Sequence, residues 1–201
     1  MSEDLEEVRR ETADCLNCSL GEARTNLVFG DGNPSAEIVF VGEAPGFYED
    51  KQGLPFVGAA GKLLTELLAS IGFKRSDVYI ANVLKCRPPD NRDPLPAEID
   101  ACRPILLRQL VAINPKVIVT LGAFATRTVL NRNVSISRVH GQTFKMDDFT
   151  VFPMYHPAAA LYARATRELL SEDFRKLKVY LEVGAAQSQP HREEATQLDL
   201  F

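Results

Sequence analysis

At 201 residues, 45% hydrophobic and 25% charged, the chain is long enough for one well-buried core and has the balance of an ordinary globular domain. Its apolar runs are far too short to span a bilayer, and its acidic start lacks the basic, apolar layout of a signal peptide, so a cytoplasmic protein is expected. A formal charge of −4 argues against a polyanionic partner until its distribution is read. The first 14 residues hold six acids and two arginines, and residues 184–201 three acids and one arginine, which leaves 15–183 at +2. A slightly positive centre between acidic ends can carry a local phosphate-binding patch.

In chain order, Leu5, Val8 and Thr12 share one face of a polar segment, which predicts a short amphipathic helix leading into Cys15 and Cys18. Gly30 to Pro34 reads as a loop. Ile38 to Val41 is a brief apolar run rich in β-branched residues, hence a buried strand that Gly42 ends. Pro45 and Gly46 force a turn, and the loop around it carries Glu43, Glu49, Asp50 and the aromatic Phe56. Leu63, Leu64, Leu67, Leu68 and Ile71 recur at helical spacing from Gly61 to Ile71. Asp77 to Leu84 reads as a second strand and the proline-rich Arg87 to Pro96 as a loop. Ala97 to Ile113 is a predicted helix that Pro104 should kink. Lys116 to Leu121 is a third strand, followed by a short helix from Gly122 to Leu130. Gln142 to Lys145 and Thr150 to Met154 form a predicted hairpin whose second arm delivers Tyr155-His156-Pro157. The last helix spans about Ala158 to Leu181, with a break near Ser171.

Alternating strands and helices predict a single α/β domain over 1–183, three layers (α/β/α) around a central, mostly parallel four-stranded sheet. Residues 184–196 are too poor in apolar side chains to pack and read as a flexible linker before the last five residues.

Four cysteines in such a chain do not suggest a disulfide framework. Cys15 and Cys18 form a C-x-x-C pair, and Cys86 and Cys102 follow with 15 residues between them, all in polar, turn-like surroundings except the last. Two close and two distant thiols fit a four-cysteine metal site, either structural zinc or an iron–sulfur cluster.

Several polar residues fall at one edge of the predicted sheet. Glu43 follows the first strand, Asn82 ends the second and His156 follows the last. In open α/β sheets ligands bind beyond the carboxyl ends of the strands. Together with Glu49 and Phe56 these residues suit a flat polar ring. Phe56 would stack on it, the Asn82 amide would match an adjacent donor and acceptor on its edge, and His156 would donate to a second ring oxygen.

The segments GEAPGFYED (Gly42 to Asp50), LPFVG (Leu54 to Gly58), ANVLKCRPP (Ala81 to Pro89) and YHPAAAL (Tyr155 to Leu161), with cysteines so spaced, resemble the family 4 uracil-DNA glycosylases. These are the iron–sulfur members of the uracil-DNA glycosylase superfamily. The resemblance implies a [4Fe-4S] cluster on Cys15, Cys18, Cys86 and Cys102. It implies uracil approached by the backbone at Glu43 and Ala44, stacked on Phe56, read at N3–H and O4 by Asn82, and hydrogen-bonded at O2 by His156. Glu49 would hold the attacking water.

The motif departs from the GQDPY type of the superfamily's best-known family. Ala44 stands where that family has a catalytic Asp, and Gly46 where it has a Tyr, so the water falls to Glu49 or Glu43. Lys51 is the lone lysine of the loop and nothing marks it as a nucleophile, which predicts a monofunctional enzyme without lyase activity.

Leu161, with Tyr162 beside it, is a candidate wedge for the vacated base stack. The terminal QLDLF, through Gln197, Leu198, Leu200 and Phe201, resembles the motif that docks on bacterial sliding clamps. The expected protein is thus a monomer acting on uracil-containing DNA. A glycosylase for another deaminated base such as hypoxanthine, or a four-cysteine nucleic-acid-binding module without chemistry, are the competing readings.

Overall fold

The structure is a computed structural model and describes residues 4–146 and 148–187. Six strands form one sheet: β1 (Asp31–Gly32), β2 (Ile38–Gly42), β3 (Tyr79–Asn82), β4 (Val117–Leu121), β5 (Phe144–Lys145) and β6 (Thr150–Met154). Their order is β1-β3-β2-β4-β6-β5. The four central strands run parallel, as expected, and two-residue antiparallel strands close each edge. Short edge strands leave little unpaired backbone to recruit another sheet. The edge strand at Asp31–Gly32 replaces the predicted loop. Its pairing with Ile80 and Tyr79 is a tertiary event with no local hydrophobic signal.

Side chains alternate across the central strands. On β2, Val39 and Val41 enter one apolar layer while Ile38 and Phe40 enter the other. The first layer is covered by α1 (Leu5–Thr12) and α5 (Pro96–Ile113). The second lies under α4 (Ala59–Ser70) and α9 (Arg164–Gln187), where Phe174 stacks on Phe40 at 5.9 Å between centroids. Both faces of the sheet are therefore buried, which is why its strands read as unbroken apolar runs.

In chain order α2 (Leu20–Ala23) falls between α1 and β1. Further on come α3 (Phe47–Gln52), α6 (Ala123–Leu130), α7 (Ile136–Val139) and α8 (Pro157–Ala160). Helix α5 holds Pro104 within its length. Two expectations need correction. The segment around Glu49 and Asp50 is the helix α3, capped by Gly53 in the left-handed conformation (φ 71°), and not a loop. The final helix breaks between α8 and α9, at 161–163, and not near Ser171.

Helix α9 also continues to Gln187, four residues into the segment read as linker, as its Ala185 and Ala186 favour. The rest of that segment and the terminal QLDLF lie outside the described residues. Among the described residues, no helix is long and apolar enough to cross a membrane.

Candidate active site

The carboxyl ends of β2, β3 and β6 open onto a cavity of about 250 Å³ whose lining includes Glu43, Ala44, Glu49, Phe56, Asn82 and His156. All six residues expected at the base-binding site therefore meet in one place. Pro88, Asn91 and Arg92 complete its wall from the proline-rich segment.

Backbone shape makes the room. Gly42 ends β2 where a Cβ would come within 2.4 Å of Asn82 Oδ1 and 2.7 Å of the Phe56 ring. Phe56 itself takes a left-handed φ of 54°, an uncommon conformation for a bulky residue. It is held there from outside: Arg75 Nη1 donates to Phe56 O at 3.1 Å and Nη2 to Pro55 O at 2.9 Å. Gly61 packs so closely that a Cβ would sit 1.7 Å from Phe56 O. The result is a ring stacked beside the His156 imidazole, centroids 5.6 Å apart and planes at 28°.

Asn82 is 2% exposed, and its Oδ1 has no hydrogen-bond partner. An unpaired buried acceptor costs about 1–3 kcal/mol, so such groups mark sites completed by something else. Its main-chain carbonyl is fixed from behind, where Lys85 Nζ donates to Asn82 O at 2.8 Å and to Gln109 Oε1 at 2.5 Å.

His156 caps α8, its Nδ1 accepting from Ala158 N at 3.1 Å. That bond leaves the proton on Nε2. Burial pushes the imidazole down to about 4, against the pull of Glu49, so the ring is neutral near pH 7 and offers one donor. Gly122, with a φ of 90°, lies behind it, where a Cβ would come 3.1 Å from the His156 Cβ.

The three carboxylates separate into three roles. Glu49 Oε1 accepts from Val57 N at 2.9 Å and Gly58 N at 3.0 Å, which ties α3 to the start of α4 and leaves Oε2 uncommitted by those bonds. Any Cβ at residue 46 would lie 2.8 Å from Oε2, so glycine there gives Glu49 its place. Glu43 is pushed up to about 7 by burial and by the charge of Asp93. Asp50 turns inward and accepts from Thr25 N at 2.9 Å. Burial opposes its ionisation, but its bonds to Thr25 and Asn26 hold it below the usual carboxylate range. It is a strut.

Cys86 and Cys102 are buried in the layer under α5, with Cys15 and Cys18 packed against the same layer, and all four thiols are free. Arg24 Nη1 donates to Cys86 Sγ at 3.5 Å, and Lys85 N to Cys102 Sγ at 3.3 Å. Burial raises both thiols, Cys102 to about 11, with Arg24 and Lys85 opposing. Among the described residues, no group of three or more His, Cys, Asp or Glu forms a constellation able to hold a metal ion as it stands. The donor set nonetheless has the right chemistry for a thiolate-bound group: four cysteines with N–H donors already aimed at two of the sulfurs.

Sequence reasoning missed Arg75, Asn91 and Arg92. Arg92 forks onto Glu98 at 2.9 and 2.6 Å, and Glu98 in turn accepts from Leu95 N, the start of α5. None of these residues sits in a periodic pattern. The one available signal was the turn-forming run Pro89-Asp90-Asn91, where Asp90 and Asn91 both take positive φ. Leu161 is half-buried against the layer of α4 and α9, whereas Tyr162 is 93% exposed.

A cavity at the strand ends with an unpaired amide, a neutral imidazole and an oriented carboxylate is that of an α/β enzyme acting on a flat polar ring. The family model of the uracil DNA glycosylase superfamily matches residues 29–178. A type-4 uracil-DNA glycosylase of Archaeoglobus fulgidus is 53% identical over 87% of this chain and 92% of its own length. Those of Sulfurisphaera tokodaii and Thermotoga maritima are 50% and 47% identical, over 84% and 94% of their own lengths and 88% of this chain in each case. The chain belongs to the uracil DNA glycosylase superfamily and, within it, to the type-4 family.

Proposed function

We propose that this protein excises uracil from DNA by hydrolysing its N-glycosidic bond, leaving an abasic site and no strand nick. The observation that carries this reading is the buried, unpartnered Asn82 Oδ1 at the wall of a cavity flanked by the Phe56 and His156 rings. Uracil extruded from the stack would lie on Phe56 and give its N3–H to Oδ1 while O4 accepts from the Asn82 amide. Cytosine offers an acceptor at N3, which would leave Oδ1 unpaired and two lone pairs opposed.

As the N1–C1′ bond lengthens, its electron pair passes to the base and charge grows on O2, where the neutral His156 Nε2–H donates. The sugar becomes cationic, and Glu49 Oε2 both steadies it and orients the water that attacks C1′. The proton released by that water leaves through Glu49. The backbone at Ala44 and Glu43 borders the base, and the Leu161–Tyr162 pair would enter the gap in the duplex.

The same reading assigns Cys15, Cys18, Cys86 and Cys102 to a [4Fe-4S] cluster. When bound, that group cross-links the N-terminal segment to α5, a structural contribution. The terminal Gln197-Leu198-Asp199-Leu200-Phe201 would dock on a sliding clamp of the bacterial type, and the protein would act as a cytoplasmic monomer.

The deciding experiment incubates purified protein with oligonucleotides carrying uracil, hypoxanthine or thymine opposite guanine, followed by alkaline cleavage of abasic sites. Cleavage from uracil alone is expected, and none from any substrate would overturn the enzyme reading. Iron content and visible absorbance test the cluster: both should vanish in Cys102→Ser, and a colourless, iron-free, fully active wild type would remove it. Deleting 197–201 should abolish clamp capture without changing excision.

A further inference from the structure

Between Gly46 and Glu49, two residues of the cavity wall, the chain carries two aromatic side chains that the chemistry above does not use. Phe47 is 47% exposed and Tyr48 61% exposed. Phe47 meets Tyr48 edge-on, centroids 5.4 Å apart at 83°. Two cations gather on Phe47: the Arg87 guanidinium at 5.2 Å from the ring centroid and Lys51 Nζ at 5.8 Å.

Each part is held in place by something else. Arg87 Nε donates to Asn91 Oδ1 at 2.7 Å, which fixes the guanidinium beside the cavity wall and leaves four of its five N–H donors for other partners. Asp50, the carboxylate within reach of the Arg87 charge, is committed to the Thr25 and Asn26 main chain. Exposed rings interleaved with cations suit a nucleotide strand. Phe47 thus acts as a post. Its ring meets both cations and the edge-on Tyr48 ring.

We propose that Tyr48, Phe47, Arg87 and Lys51 form a second nucleotide subsite, for the residue adjacent in the strand to the excised one. Its base stacks on the Tyr48 ring and its phosphate sits against Arg87 and Lys51. Tyr48 shares α3 with Glu49 of the cavity wall and Arg87 is bonded to Asn91 of that wall, and the positive charge of Arg87 and Lys51 complements a phosphodiester in a chain that is acidic overall. This rests on the reading of the cavity as a base pocket.

The test is a cycle between protein and DNA. Tyr48→Ala and Tyr48→Phe are compared on uracil oligonucleotides with a normal base or a tetrahydrofuran spacer immediately 5′ or 3′ of the uracil. Tyr48→Ala should raise KM about tenfold, as expected for one base–aromatic stack, with kcat nearly unchanged, and Tyr48→Phe should restore it. A spacer on one side only should raise the wild-type KM by a similar factor and add nothing in Tyr48→Ala. Multiplying effects, or no change in KM, would overturn the proposal.

Binding by anisotropy to product strands, with a spacer in place of the excised nucleotide, reads the same cycle without chemistry. A wild type that excises nothing yet shows the cycle in binding would defeat the function proposed above and spare this one. Lys51→Gln should flatten the salt dependence of that binding by about one unit of slope, and an unchanged slope would remove the phosphate contact.

Discussion

The two rims of the sheet make an instructive contrast. The amino-terminal rim holds the larger hollow, about 730 Å³, floored by Ile38, Phe73, Val117 and Tyr180. The carboxyl rim holds only about 250 Å³. Yet the polar groups of the large hollow are occupied: Lys116 is paired with Glu37, Asp77 accepts from Lys74 N, and Asn33 from Ser35 N. In the small cavity Glu49, Asn91 and Arg92 are paired, but Asn82 Oδ1 is unpaired, Glu43 is pushed up and His156 is pushed down. On the function proposed above, unsatisfied polarity held by tight backbone, rather than volume, marks the chemistry.

The sharpest way to break this contrast is to substitute glycines on each rim. Gly61→Ala should destroy the pocket and much of the fold, because the new Cβ meets main chain at 1.7 Å. Gly72→Ala, beside the large hollow, meets nothing within 4 Å and is strained only by its φ of 90°, so about 1–2 kcal/mol is expected. Thermal melts decide between them, and equal losses would sink the argument from close packing.

Next in size is Asn82→Ala, which should lower kcat/KM for uracil by about 10²–10³-fold while the melting temperature holds or rises. Its counterpart Phe73→Ala in the large hollow should cost about 1–2 kcal/mol of stability and leave excision untouched. Excision that survives the first or collapses with the second would reverse the assignment of the rims.

A smaller effect is expected from Arg75→Ala. Freeing the Phe56 carbonyl should raise KM about tenfold, with partial recovery in Arg75→Lys, which can reach one carbonyl but not grip two. A KM equal to wild type would show that Phe56 keeps its conformation unaided.

The smallest is a slope. His156 falls from 6.5 to about 4 on folding, so the unfolded chain binds the proton more readily and stability rises with pH across that window. Glu43 climbs from 4.5 to about 7, so its contribution is present below 4.5 and lost as pH rises through about 7. The two oppose each other where the windows overlap. Glu43→Gln removes the second, and its melting temperature should climb more steeply with pH from 4.5 to 6.5 than that of wild type. Matching slopes would exclude Glu43 as the titrating group.

Much of this was readable in advance, and the exceptions have physical causes. The run from Ile38 to Gly42 announces a strand buried on both faces, and Glu43, Asn82 and His156 fall at strand ends that a parallel sheet must bring to one rim. Glu49 and Asp50 are neighbours of the same charge, and only the family resemblance set Glu49 apart. Helix α3 turns successive side chains about 100° apart, so one faces the cavity and the other the Thr25 main chain. Arg75 left no trace because its bonds span 19 and 20 residues and serve carbonyls, which carry no sequence signal.

Sequence alone therefore determined the central strands and the main helices between them, and which polar residues fall at their carboxyl ends, because hydrophobic period and turn residues act locally. Tertiary structure decided which oxygen stays unpaired, which imidazole nitrogen keeps its proton and how Phe56 is held at a φ of 54°. Those depend on burial and on donors from distant segments, and no stretch of chain contains its own surroundings.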